Sequence, residues 1–377
     1  MSKISKVFGG LFLIVAIIVF GFNPAEATSQ RLKGMGMDAD TYWMIQKDSA
    51  FIGFNPAHLK QLPDLIYGTP GSAGIFISPM DALKVKFSTG GSVDFSGFQQ
   101  DPNNTSLTRE QIALTAVYSM GNMDFGLKAG YACASDVDDS TGTETDYGRS
   151  LIDTKAGFFM DLGSGKNIDA ALGMKFWKIS DTAAGTDVYQ AGTVDLLAMA
   201  RFNMATSETN KIHAFAQINM DNRSDTLGAA DEVVDKDMKL TLGVSDEMNL
   251  NKTSLVYFGL MYDTNGNTYD AGTEVKSRSS NLNLAMGVEA MFIENLTARF
   301  GANRTLMSFA SNEQAETSSI DDGAATNAAI GMSYKLGNVK LEWNLNYGLF
   351  TTGPSVISGG GANLTNTTAD FIILYIF

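Results

Sequence analysis

Histidine, cysteine and proline are all scarce in this chain: 2 His, 1 Cys and 7 Pro among 377 residues. Each shortage excludes something. A lone Cys133 makes no internal disulfide, and on the apolar side of its segment it reads as a small hydrophobe. With only His58 and His213 there is no metal-ligand cluster, and no glycine-rich loop stands between a strand and a helix to cradle phosphate. No cofactor or metal is therefore expected. No local motif assembles a Ser-His-Asp site, so no catalytic residue is nominated; an enzyme would have to depend on His213. No internal stretch approaches the ~18 apolar residues of a membrane-spanning helix. Charged residues make up 18% of the chain and the net charge is −14, which argues against a nucleic-acid partner.

Glycine and alternation are what the chain has. There are 38 Gly and 10% aromatic residues, and from Leu83 onward apolar and polar positions alternate with period two. Met123, Phe125, Leu127, Ala129 and Tyr131 oppose Asn122, Asp124, Lys128 and Gly130. The same pattern recurs at 168–176, 194–202, 281–290 and 339–347. Strands are predicted near 83–96, 109–120, 122–135, 148–162, 166–181, 189–204, 210–223, 236–248, 251–265, 278–292, 294–308, 325–337, 339–350 and 367–377. Soluble sheets use strands of about 5–6 residues, whereas a membrane-crossing strand needs about 9–11. Short turns such as Met120-Gly121-Asn122 and Leu336-Gly337-Asn338 alternate with long segments near 97–108, 136–147, 182–188, 224–235, 266–277, 309–324 and 351–366. That asymmetry is the one between periplasmic turns and extracellular loops. The expectation is an all-β, antiparallel, up-and-down transmembrane barrel of 14 strands, or 16 if 64–79 adds a hairpin.

The chain ends on Phe371-Ile372-Ile373-Leu374-Tyr375-Ile376-Phe377, apolar on both faces. A last strand carrying Phe371, Ile373, Tyr375 and Phe377 on one face resembles the C-terminal signature of bacterial outer-membrane barrels. The resemblance implies recognition by barrel-assembly machinery and closure against the first strand. At the other end, Lys3 and Lys6, the apolar run Val7 to Phe22 and Ala25-Glu26-Ala27 have the form of a secretory leader cleaved after Ala27; an uncleaved anchor is the alternative.

Residues 28–80 fall outside the alternation, and the barrel is expected over 81–377. Asn55 and Pro56 suit the cap and first position of a short helical turn that Pro63 ends. Arg31-Leu32-Lys33-Gly34-Met35-Gly36, Asp48-Ser49-Ala50 and Phe54-Asn55-Pro56-Ala57-His58-Leu59 together resemble the N-terminal segment of FadL-type outer-membrane transporters. This chain departs from that pattern at Met37-Asp38 and at His58. The resemblance implies a hatch inside the barrel, with Asn55, Pro56 and Ala57 as its motif, and passive uptake of small hydrophobic molecules. A general porin for hydrophilic solutes, or a non-transporting envelope or secretion barrel, are the other readings.

Charges facing lipid are costly, so Asp124, Lys128, Lys155, Asp169, Lys175, Asp195, Arg201, His213, Glu289, Arg299, Lys340 and Glu342 are placed in the lumen. They make either a hydrated pore wall or a set of cross-strand ion pairs that fixes register; the two are compatible. The long segments are acidic, with Asp136, Asp138, Asp139, Glu144 and Asp146 in one and Asp225, Asp231, Glu232 and Asp235 in another. They read as solvated loops, with Ca²⁺ binding as the sharper alternative. The expected surroundings are outer-membrane lipid and a small-molecule substrate.

Overall fold

A computed structural model describes Met35, 42–44, 51–69, 72–94, 108–138, 145–183, 186–227, 232–251, 253–270, 272–312, 317–321, 326–346 and 369–376. The leader, Arg31 to Gly34, Asp48 to Ala50, Asp139, Glu144, Asp231 and Phe377 lie outside the described residues.

Among the described residues one antiparallel sheet holds every strand. In chain order these are β1 (Leu65–Thr69), β2 (Ser72–Met80), β3 (Leu83–Asp94), β4 (Thr108–Met120), β5 (Met123–Asp138) and β6 (Thr145–Gly163). Then come β7 (Lys166–Ala183), β8 (Thr186–Ala205), β9 (Asn210–Leu227), β10 (Val233–Asn251), β11 (Ser254–Asp270) and β12 (Glu274–Ile293). The last are β13 (Leu296–Asn312), β14 (Thr317–Asp321), β15 (Thr326–Leu336), β16 (Val339–Asn346) and β17 (Ala369–Ile376). Each pairs with its sequence neighbours except at β14, which pairs with β13 alone while β15 pairs with β13 and β16, and β17 pairs with β1 from Leu65↔Ile376 to Gly68↔Ile373, which closes the barrel. β14 and β15 follow one another along β13 and share one position, so the barrel has sixteen staves. The sixteen-strand option holds because Leu65–Thr69 and Ser72–Met80 form barrel strands, the first with 5 residues and the second with 9.

Alternation dictates what faces lipid. Leu127 and Leu172 are each 66% exposed, and Phe125, Tyr131, Phe258, Met286 and Phe300 are exposed on the same outer surface. An apolar belt around a closed barrel is a membrane-spanning surface, so Leu172→Arg is expected to cost about 2–4 kcal/mol if that position lies near the bilayer midplane. The check is the urea midpoint of the refolded barrel in lipid vesicles, with Glu208→Gln in a short turn as the neutral control.

The strands outlast their hydrophobic pattern. β5 and β6 run through Asp136, Asp138 and Asp146, β11 and β12 meet across Asp270 and Glu274, and β9 and β10 take in Asp225 and Asp235. The segments read as long loops are therefore in large part extended hairpins. Beyond the bilayer neither face needs to be apolar, so the alternation stops while the hydrogen-bonded ladder continues. At the other end the turns are tight, with Gly121 and Gly337 at φ of 65° and 57°, a left-handed conformation that favours glycine.

The last strand shows why both its faces are apolar. Ile373 is exposed on the outer surface, and Tyr375 is half-buried. Ile372, Leu374 and Ile376 are buried on the inner face against Ile52, Leu59 and Leu62. The closing strand thus packs on the N-terminal segment as well as on lipid.

Candidate functional site

A sixteen-stranded barrel is wide enough to leave an aqueous channel. Here part of the N-terminal segment occupies the lumen. Its best-defined piece is a helical turn, Pro56–Gln61, preceded by the short helix Phe51–Phe54. Asn55 stands extended (φ −132°, ψ 108°) and its Oδ1 accepts from the Ala57 N–H at 3.0 Å, which caps the turn. The other end of the same amide donates from Nδ2 to the Phe158 carbonyl at 2.9 Å. One side chain therefore both starts the turn and pins it to the wall.

The wall is cut away to admit it. Gly126 and Gly157 face each other across β5 and β6. A Cβ on Gly126 would stand 2.3 Å from the Ala57 nitrogen, and one on Gly157 would stand 2.0 Å from Asn55 Oδ1. The same holds on the far wall, where a Cβ on Gly243 would stand 2.1 Å from the Trp43 ring. Trp43 stacks flat on Phe215, with centroids 5.0 Å apart and planes within 2°, an arrangement worth about 0.5–1.5 kcal/mol beyond its burial. Met35, Trp43 and Met44 form one apolar cluster with Met199, Phe215, Tyr257, Met261 and Ala285 of the wall.

Polar bonds fix the backbone of this segment to three strands. Tyr257 Oη donates to the Met35 carbonyl at 2.7 Å, Ser245 Oγ to the Met44 carbonyl at 3.1 Å, and Arg201 Nη1 to the Trp43 carbonyl at 3.1 Å. Arg201 is the centre. Its Nε donates to Asp169 Oδ2 at 2.9 Å, and its Nη2 lies 3.4 Å from His58 Nε2. His58 Nε2 lies 3.5 Å from the same carboxylate oxygen, and Asn203 donates to that oxygen at 3.3 Å. Arg201 is 1% exposed and Asp169 0%. Asn203 Oδ1 is 2.6 Å from His213 Nδ1, and His213 Nε2 faces Glu247 Oε2 at 3.4 Å. The chain of contacts thus runs from the hatch across β7, β8, β9 and β10.

At the lower rim Lys84 bonds the Leu62 carbonyl and sits 2.8 Å from Asp64 Oδ1. Partial burial alone would raise the Asp64 carboxyl, but the Lys84 ammonium and the Ser78 donors outweigh it and hold it below the usual range.

Other predicted lumen residues form separate groups. Arg299 joins Glu289 (2.5 Å), Ser333 (3.1 Å) and Glu342 (3.4 Å), and Lys340 lies 2.9 Å from Glu342. Lys128 is 2.5 Å from Asp153, and Lys155 is its register partner across β5 and β6. Lys175 stands between Asp153 and Asp195 in register. Asp195 accepts from Trp177 at 2.9 Å and Thr193 at 2.8 Å, and Asp124 from Ser119 at 2.5 Å. His213 is enclosed, and its cross-strand neighbour Ser245 gives its hydroxyl to Met44 instead. Among the described residues no group of three or more His, Cys, Asp or Glu is arranged for a metal.

Sequence reasoning passed over Trp43, Met35, Met44, Tyr257, Ser245, Asn203 and the recessed glycines. The glycines carried a usable signal: Gly126 and Gly157 fall on the inward parity of strands whose outward parity is Phe and Leu.

No family model and no curated protein matches the chain. Among solved structures it is similar to a Pseudomonas aeruginosa FadL homologue, at 10% identity and TM-score 0.48, covering 95% of this chain and 100% of that one. It is also similar to the Pseudomonas putida toluene transporter TodX, at 10% identity and TM-score 0.41 over 90% and 98%. A third is the Ralstonia pickettii toluene transporter TbuX, at 12% identity and TM-score 0.41 over 91% and 99%. By its own closure and apolar belt, the chain is a sixteen-stranded outer-membrane β-barrel with part of its N-terminal segment in the lumen.

Proposed function

We propose that this barrel is a passive outer-membrane channel for small hydrophobic compounds and that the lumenal segment is its gate. The observation that carries the reading is the wall guanidinium of Arg201, which contacts the segment at both Trp43 and His58. Such a link breaks without rupture of a covalent bond or of the barrel ladder. The hydrophobic substrate class is favoured by the seam the segment makes with the wall. Met35, Met44, Met199 and Met261 lie in it, and methionine side chains repack readily around apolar guests. An enzymatic role has only His213 to rest on, and that imidazole is fully buried. Ile373 and Tyr375 on the outer side of β17 are proposed as the face read by assembly machinery.

The test compares the mature chain with a form lacking residues 28–62, both refolded and checked by heat-modifiable migration, in planar bilayers and in liposomes. The expected result is a silent intact barrel, a conducting truncated one, and faster liposome uptake of a neutral hydrophobic solute through the intact protein than through empty vesicles. A steady open pore in the intact chain would overturn the gate in favour of a general porin. Silence from both forms would point to a partner-holding envelope protein.

A further inference from the structure

Cations on the outward face are gathered in one sector of the barrel. No lysine or arginine falls on the outward parity of β5, β6, β8 or β9. β7 has Lys166 beside its short turn and Lys178 near its other end. β10, β12 and β13 carry Lys236, Lys276, Arg278 and Arg304, all exposed. Register fixes their side of the wall. Lys236 pairs with Thr268 and Thr268 with Lys276; Met238 pairs with Gly266 and Gly266 with Arg278; Arg304 pairs with Leu284. Met238 is 49% exposed on the outer surface, so these rows share its face. Lys236 is the next outward residue beyond Met238 toward the long-hairpin end. Arg278 is the next beyond Ser280, whose register partner Phe309 is also exposed on that surface. Lys236 and Arg278 therefore stand at the margin of the apolar belt, where the hydrocarbon gives way to the headgroup layer.

The strand between them leaves a notch. Gly266 of β11 lies in one row with Met238 and Arg278, and a Cβ there would meet nothing within 4 Å. On the same face of β11, Thr268 stands one outward step above it and Thr264 one step below. Neighbouring strands are about 4.8 Å apart and two residues of strand about 6.6 Å, so Lys236, Lys276 and Arg278 frame the notch at close range. Hydroxyls line its lower edge. Arg278 Nε reaches Thr264 Oγ1 at 3.4 Å, and Ser280 Oγ donates to the same oxygen at 3.0 Å. The local carboxylates lie toward the hairpin tip. Glu274, register partner of Asp270, is 2.6 Å from Lys276 and offsets its charge. Among the described residues neither Lys236 nor Arg278 has a carboxylate within ion-pair distance. Two uncompensated cations thus flank a bare recess beside exposed apolar side chains, Met238 and Tyr262.

We propose that Lys236 and Arg278, on either side of the Gly266 notch, bind the phosphate headgroup of a lipid in the outer leaflet, with its acyl chains on Met238 and Tyr262. Guanidinium and ammonium groups are the side chains that hold phosphate, the first through a planar fork and the second as a point charge. Both have long apolar stems that lie along the belt while their charged ends reach the headgroup layer. The adjoining apolar surface favours a lipid over a free phosphate ion, which gains nothing from it. A second copy of this chain docked here by a two-fold axis would set cation against cation. The inference uses the outward face alone and stands whether or not the barrel transports.

The experiment is native mass spectrometry of the full mature barrel in uncharged detergent micelles, with dioleoyl phosphatidate, dioleoyl phosphatidylcholine or inorganic phosphate added. Phosphatidate is expected to be retained at least ~10-fold more than phosphatidylcholine, since each cation near the headgroups adds to the attraction. Retention should fall as salt rises. The double variant Lys236→Gln/Arg278→Gln is expected to lose most of that preference, while Lys178→Gln, an outward lysine of β7, keeps it. Heat-modifiable migration of each variant reports folding. If the double variant does not fold, Arg278→Gln replaces it with the same expectation. Equal retention of the two lipids, no retention of either, or a folded double variant that holds phosphatidate unchanged would each overturn the proposal. Lys178→Gln losing as much as the double variant would reduce the effect to general surface charge and overturn the site. Inorganic phosphate retained as well as phosphatidate would make it a free-anion site and overturn the lipid. A lipid-free dimer that the double variant abolishes would assign the face to a second copy and overturn the lipid too.

Discussion

Arg201→Ala is expected to turn a silent barrel into one that conducts, with the wall still folded. The guanidinium contacts the Trp43 carbonyl, His58 and Asp169 at once, and all of them are buried. Removing it strands the Asp169 carboxylate in a dry site, and breaking a buried ion pair costs about 3–5 kcal/mol. The sheet ladder around it is long: β7 pairs with β8 from Lys166↔Met204 to Ala183↔Thr186. The weaker side of the broken contact is the hatch, so the hatch gives way and water reaches Asp169. Arg201→Lys is expected to rescue only in part, because one ammonium lacks the planar fork that reaches several acceptors. Two readouts check this. Bilayer recordings should show open-channel events in the alanine variant that the parent lacks. Labelling by a membrane-impermeant maleimide at Ala57→Cys, with the lipid-facing Cys133 changed to Ser, should rise at least ~10-fold over the same cysteine in the Arg201 protein. A folded Arg201→Ala barrel that stays silent and leaves position 57 protected would show that the guanidinium does not hold the hatch.

Gly157→Val is expected to expel the same segment by steric force alone. The first carbon added at this position falls 2.0 Å from Asn55 Oδ1 and 2.7 Å from Pro56 Cδ, well inside contact. Overpacking of this kind typically costs 1–3 kcal/mol, and here the pressure falls on the Asn55 amide that both caps the turn and binds Phe158. Valine itself suits a strand, so the wall tolerates the residue and the hatch does not. Gly266→Val is the control, since a Cβ there meets nothing within 4 Å. The expected outcome is maleimide access to position 57 in the first variant, parent-like protection in the second, and heat-modifiable migration in both. Protection retained at position 57 in folded Gly157→Val would mean that the turn does not sit in the glycine recess.

Much of the architecture was legible because a membrane enforces a strict code. Phe125, Leu127 and Leu172 had to face lipid and Asp169, Arg201 and Glu289 could not, so period two was visible residue by residue. The strand count was ambiguous where that code is weakest. Leu65–Thr69 and Ser72–Met80 are short and apolar on both sides because their inner face also packs on the hatch. Leu65 and Phe76 are buried with Leu59 and Leu62. The hairpin ends were misplaced for the opposite reason, since above the bilayer the ladder persists through Asp136, Asp146 and Asp235 with no apolar face to announce it.

The hatch turn itself could be drawn from Asn55-Pro56-Ala57, because an Asn cap followed by proline specifies its geometry locally. What the turn touches could not. Trp43 and Phe215 stack across 172 positions of sequence, and nothing near either residue marks the other. Arg201 was one inward charge among a dozen; its special position comes from Asp169 on a neighbouring strand and His58 from the segment entering between them. Sequence alone thus determined the alternation that puts an apolar face toward lipid and where the short turns lie. Those depend on local alternation and on the cost of charge in hydrocarbon. Only the tertiary structure decided that the lumen is occupied, that glycines make room for the occupant and that Arg201, Tyr257 and Ser245 bond to it. These depend on closure of the sheet, which brings distant strands to face one another around a common interior.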